Sequence, residues 1–282
     1  MQLKKHGDTI IEVMMAIAIF ALLAVITINL MNSGINNAQH TLEYTMARNE
    51  IDNQAEALRY IHQSYVAERQ LDKKSSQFRL LWDALRAIAQ APSEIEDQDG
   101  DNTPFDINKI HSCNDAYADN NMVARYNAFV LNTRLILPDS GTSYDGNSYQ
   151  DMINDIIVGV SLDEEDDGVR SLDASSRLTP TSLYPRIIYK KTNDTNLKRA
   201  IQGKSHNSEN NNETSPLAEK YIYNRVERAE GIFIIAVGDN QVKPVRSNYF
   251  DFYIRSCWHS VGSYAPSTIT TIVRLYNPEV IE

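Results

Sequence analysis

Few side chains in this sequence are spaced for chemistry. Asp97, Asp99 and Asp101 alternate around Gly100, the arrangement by which one tight turn offers several carboxylate oxygens to a hard cation such as calcium. In that run Gly100 stands two places too early and Asn108 replaces the closing bidentate Glu, so a solvated acidic turn is the stronger alternative. Cys113 lies near His111, but a catalytic Cys and His are seldom neighbours along a chain. With Cys257 it makes the only cysteine pair. In an oxidising compartment the two are expected to form a disulfide, and a free buried pair is the other possibility. The histidines at 6, 40, 62, 111, 206 and 259 are scattered, with no His-Glu-x-x-His pair. Gly-x-Ser-x-Gly, a phosphate-cradling Gly loop and Gly-x-Gly-x-x-Gly are all missing from the sequence. The expectation is a non-enzymatic chain without a cofactor.

One further carboxylate stands out because of where it is. Glu12 sits at the start of an apolar run that is unbroken from Val13 to Ile26 and extends, with interruptions, from Ile10 to Met31. As a helix that stretch crosses about 30 Å of hydrocarbon. A carboxylate at the bilayer centre costs about 2.5 to 3.5 kcal/mol and less near an end, so Glu12 needs a partner and a purpose. Lys4, Lys5 and His6 precede it, which keeps the amino terminus cytoplasmic and places the rest of the chain outside.

The segment admits three readings. A secretory leader needs a small-x-small exit, and Asn32, Ser33 and Gly34 do not supply a clear one. An uncleaved anchor holding an outer binding or sensing domain is the second, and it leaves Glu12 unexplained.

The third accounts for the carboxylate. Gly7-Asp8-Thr9-Ile10-Ile11-Glu12-Val13, after a short basic leader and before an apolar helix, resembles the prepilin signal of type IV pilins and type II secretion pseudopilins. The helix that follows is most similar to that of minor pilins. The resemblance covers about the first thirty residues. It implies cleavage after Gly7 and methylation of the new terminus at Asp8 by a prepilin peptidase/methyltransferase. It also implies assembly through an inner-membrane platform with other pilin or pseudopilin subunits into a surface filament. Glu12 is then neutralised by a neighbour's amino terminus, since pairing two charges in a low-dielectric medium removes the cost of leaving either alone. The family usually has a large apolar residue after the Gly, where this chain has Asp8. A body this large suits a tip or initiating subunit better than a bulk one.

Overall charge is consistent with that assignment. The 27 Lys+Arg against 37 Asp+Glu give 27 − 37 = −10, with no basic cluster longer than a pair, so nucleic acid is an unlikely partner.

The remaining elements follow from composition. Asn36 to Gln70 lacks Gly and Pro and is expected to continue the first helix. Ile35, Ala38, Leu42 and Met46, then Ile51, Ala55, Leu58, His62 and Tyr65, form a stripe for a domain to cover; a solvated stalk or a coiled-coil dimer is the alternative. Phe78 to Ala91, stopped by Pro92, is expected to be a second helix with Leu80, Leu81, Trp82, Leu85 and Ile88 in the core. A third is expected around Asn121 to Thr133. Pro138 to Ser182 is loop-rich, with one element within Met152 to Leu162. Strands are expected at Leu183–Lys190, Lys220–Val226, Gly231–Val237, Ser247–Trp258 and Ser267–Tyr276, the last two as a hairpin around Pro266. Asn207 to Ser215 reads as an exposed insertion, and Asp163 to Asp167 as a solvated acidic run.

The expected fold is thus α+β, a long amino-terminal helix packed on a carboxy-terminal antiparallel sheet. Its parts are a leader at 1–7, a membrane or assembly helix at 8–33, an amphipathic continuation at 34–70 and an extracytoplasmic domain at 71–282.

Overall fold

A computed structural model describes residues 8–71, 77–90, 127–136, 153–159, 161–162, 169–170, 178–179, 181, 184–190, 225–239, 246–260 and 265–279. Helix α1 (Asp8–Gln70) is a single helix of 63 residues, about 95 Å long. It runs through Gly34 without a break because a lone Gly costs a helix only about 1 kcal/mol. Helix α2 (Gln77–Ile88) packs beside its carboxy-terminal part, and a short turn of helix, α3 (Thr133–Ile136), touches it as well.

Among the described residues four small sheets complete the α+β fold. The largest joins β8 (Ile232–Gly238), β9 (Tyr249–Trp258) and β10 (Ser267–Tyr276), antiparallel throughout and in the order β10-β9-β8. A second joins β5 (Leu178–Thr179), β7 (Arg225–Glu230) and β6 (Arg186–Lys190), with β5 parallel to β7. The pairs β1 (Val130–Leu131) with β2 (Ile157–Val158), and β3 (Ser161–Leu162) with β4 (Val169–Arg170), are antiparallel.

The core lies between α1, α2 and the β8-β9-β10 sheet. Ile51, Leu58 and Ile61 from α1 and Leu81, Trp82 and Leu85 from α2 are fully buried, as are Phe250, Phe252, Ile254 and Trp258 from β9. Strand β9 is central and almost entirely buried, whereas β10 alternates between buried and exposed residues, as an outer strand with one covered face must.

The outer edge of β8 is occupied. Phe129 exchanges both backbone hydrogen bonds with Ile234, at 3.0 and 2.7 Å, and Gln90 bonds to Ala236 and Gly238, each at 3.0 Å. Two expectations are corrected here. The second helix ends at Ile88, before Ala91, because Gln90 is drawn into this edge. The stretch expected as a third helix is, in its described part, a turn at Asn127 with φ of 46° leading into strand β1. Pairing with β8 and β2 overrides the local helical preference.

Strand β7 runs past Val226 to Glu230, further than its composition suggests. Its Glu227 and Arg228 are exposed, while Val226, Ala229 and Glu230 are buried. The chain then passes from β7 to β8 at Gly231, whose φ of 67° only glycine adopts without strain.

Candidate functional site

The feature of α1 that bears on function is how its two halves differ. From Ile10 to Leu42 every side chain except Ala24 is exposed, and the exposed set is strongly apolar: Phe20 is 74% exposed, Leu30 69%, Ile11 67% and Met14 67%. By length and composition this stretch can cross a membrane, and none of it is covered by the rest of the protein. A soluble protein does not leave so long an apolar surface in water, so a second medium or a partner must cover it.

Glu12 is exposed on this uncovered stretch, and the helix begins at Asp8. Gly7 lies outside the described residues. The hydroxyl of Thr27 donates to Leu23 O at 2.8 Å, so that polar group needs no partner from outside the helix.

Coverage begins at Glu43. Ile35, Ala38, Leu42 and Met46, expected on the domain-facing stripe, are exposed instead. Helical rotation explains the difference: the buried side runs through Glu43, Ala47, Ile51, Gln54, Leu58, Ile61 and Tyr65, and the earlier apolar residues project elsewhere. Glu43 is buried and accepts a hydrogen bond from the Trp258 indole at 3.3 Å. Gln54, with no exposed surface, bonds twice to the backbone of Leu131: its amide donates to Leu131 O at 2.9 Å and its carbonyl accepts from Leu131 N at 2.8 Å. Towards the carboxy-terminal end of α1 three residues on one of its faces hold the carboxy-terminal segment. His62 Nε2 donates to Tyr276 O at 2.8 Å, the Tyr65 hydroxyl donates to Glu279 at 2.9 Å, and Arg69 donates to Pro278 O. From α2, Arg86 reaches the other oxygen of Glu279 at 2.6 Å.

Electrostatics follow from this packing. Burial pushes the Tyr65 phenol up to about 12, assisted by its bond to Glu279 and by the negative charges of Glu279 and Asp83. Burial, with Glu279 nearby, also raises the Asp83 carboxyl despite Arg86. For Glu279 burial works upward too, but the bonds from Tyr65 and Arg86 and the charges of Arg86 and Arg79 outweigh it and hold the carboxyl below the usual range. Trp82 closes the cluster beneath, its ring edge-on to His62 at 4.9 Å and stacked on Tyr65 at 5.9 Å.

Other sequence-selected residues are dispersed. Cys257 is fully buried near the end of β9, while Cys113 lies outside the described residues, as do Asp97, Asp99 and Asp101. His40 is exposed on α1, and His259 is half-buried just after β9. Among the described residues no three His, Cys, Asp or Glu side chains are grouped to hold a metal ion. Sequence reasoning missed the Arg86, Tyr65 and Glu279 cluster. The available signals were a cation among the buried positions of α2 and the turn-forming Asn277-Pro278 just past β10.

Comparison with family models, with curated proteins and with solved structures gives no match.

Proposed function

We propose that this chain is a non-enzymatic, type IV pilin-like subunit, a minor pilin or pseudopilin that starts or tips a filament. One observation carries the proposal: a single unbroken helix is uncovered and apolar over its first half and buried along one face against its own sheet over its second. Such a rod can be drawn from a bilayer into a bundle of like helices while its domain stays folded outside, provided helix packing replaces the lost lipid contacts. Cleavage after Gly7 frees an amine at Asp8, and Glu12 accepts the amine of a neighbouring subunit, which fixes axial register. A disulfide between Cys113 and Cys257 belongs to the same proposal, since the domain then resides in an oxidising compartment.

The decisive experiment is mass and amino-terminal analysis of membrane-extracted protein. A terminus at methylated Asp8 is the expected result. An intact Met1 in normally assembled protein overturns the proposal and leaves a domain held by an uncleaved anchor. Glu12→Ala separately tests register: the variant is expected to insert into membranes as the parent does but to incorporate poorly into filaments. Incorporation at the parent level removes that role from Glu12.

A further inference from the structure

We infer that the free edge of β10 is a docking edge for a second copy of this chain, whose own β10 adds antiparallel and joins the two three-stranded sheets into one. The inference rests on the sheet alone and is independent of the function proposed above.

The two sides of the sheet are unequal. The β8 edge is closed by Phe129 and Gln90, whereas among the described residues β10 pairs with β9 only. An open edge is ordinarily blunted by proline, a bulge, a short strand or outward charges. Strand β10 has no proline or bulge and is not short, and its one outward charge, Arg274, is held by Asp251 of β9. It is 10 residues long, contains no Gly or Pro, and keeps an unbroken register with β9 from Ser267↔Trp258 to Tyr276↔Tyr249. Thr268 to Val273 is β-branched at every position, which favours extended backbone before any partner arrives.

Charge selects the occupant. With a net charge of −10, two copies of this chain repel over most approaches. Along β10 they do not. Its only charged residue is Arg274, whose guanidinium holds Asp251 of β9 with two bonds, at 2.7 and 2.6 Å, and lies 4.0 Å over the Tyr249 ring. Both charges are thus cancelled within one subunit. The outward row is otherwise Thr268, Thr270, Ile272 and Tyr276, with Ile272 54% and Tyr276 58% exposed. Paired antiparallel about its middle, the strand sets Thr and Ile opposite Thr and Ile, so it is its own complement. His62 already takes the carbonyl of Tyr276, so pairing centres on Thr271, with Thr270 opposite Ile272 of the other copy, and stops short of that end.

The test uses the full chain in detergent. Light scattering is expected to give a dimer, and Thr270→Lys, which brings two ammonium groups together near the twofold axis, is expected to weaken it at least tenfold with near-ultraviolet circular dichroism unchanged. Ile272→Cys is expected to yield covalent dimer with a short bismaleimide, with the parent and Glu227→Cys chains as blanks. A monomeric parent, a dimer of equal strength in folded Thr270→Lys, or no crosslink through Ile272→Cys each overturns the inference. Persistence in Thr270→Lys would locate self-association elsewhere, for example along α1. Should Thr270→Lys fail to fold, the crosslinking arm decides alone.

Discussion

Tyr65 and Glu279 lie 214 positions apart in sequence and are joined by a 2.9 Å hydrogen bond that, with Arg86, fastens the end of the described chain to the first helix. Glu279 is held below its ordinary value of 4.5 in the folded protein. Its stabilising contribution is therefore present above that value and is lost as pH falls through the lower, folded one. Glu279→Gln is expected to lower stability at neutral pH by about 1 kcal/mol, the modest end for a charged hydrogen bond because the carboxylate is partly wet. Thermal unfolding of both proteins between neutral and strongly acidic pH checks this, and the gap between them should close on the acid side. A gap that stays constant with pH would deny the carboxylate its role.

Gln54 supplies both partners for a buried peptide group at Leu131. In Gln54→Leu the Leu131 N–H and C=O lose those partners, each at about 1–3 kcal/mol. The expected result is a marked drop in denaturant midpoint together with faster exchange of the Leu131 amide. Unchanged exchange would mean that another group satisfies that backbone.

Gly231→Ala places a methyl group 2.6 Å from Cys257 O and against the Thr181 side chain, at a φ of 67°. The backbone strain alone is worth about 1–3 kcal/mol, and the Cys257 carbonyl, being main chain, does not yield readily. Calorimetry should show a lower Tm. A variant as stable as the parent would contradict the described path from β7 to β8.

Alkylation of the denatured, unreduced protein is expected to label neither Cys113 nor Cys257, and both after reduction. On the chain-entropy picture a bridge closing so long a loop contributes about 4–5 kcal/mol, so Cys257→Ser should destabilise well beyond a core truncation of that size. Two alkylated thiols in the unreduced sample would exclude the bridge.

How much of this was legible follows from where the information lies. Strand β10 and the second half of the long helix declared themselves through period and composition, because each buries one side against a single layer. Strand β7 was truncated in the sequence reading. Its Glu230 is satisfied by Arg186 at 2.8 Å and Arg228 at 3.0 Å, and Arg186 belongs to a neighbouring strand that no local pattern announces. Residues 127–131 were misassigned for a similar reason, since Phe129 bonds to Ile234, Val130 and Leu131 pair with Val158 and Ile157, and the Leu131 backbone bonds to the Gln54 side chain. The apolar stripe on α1 was foreseen, but its starting point was not. That point depends on where Trp258 meets Glu43, a contact across 215 positions.

Helix α1 has no proline along its length, and Gly34 leaves no break in it. The globular head consequently cannot swivel on a flexible tether. Whatever grips the bare end also aims the head, and a tilt imposed there is delivered undiminished to the sheet at the far end.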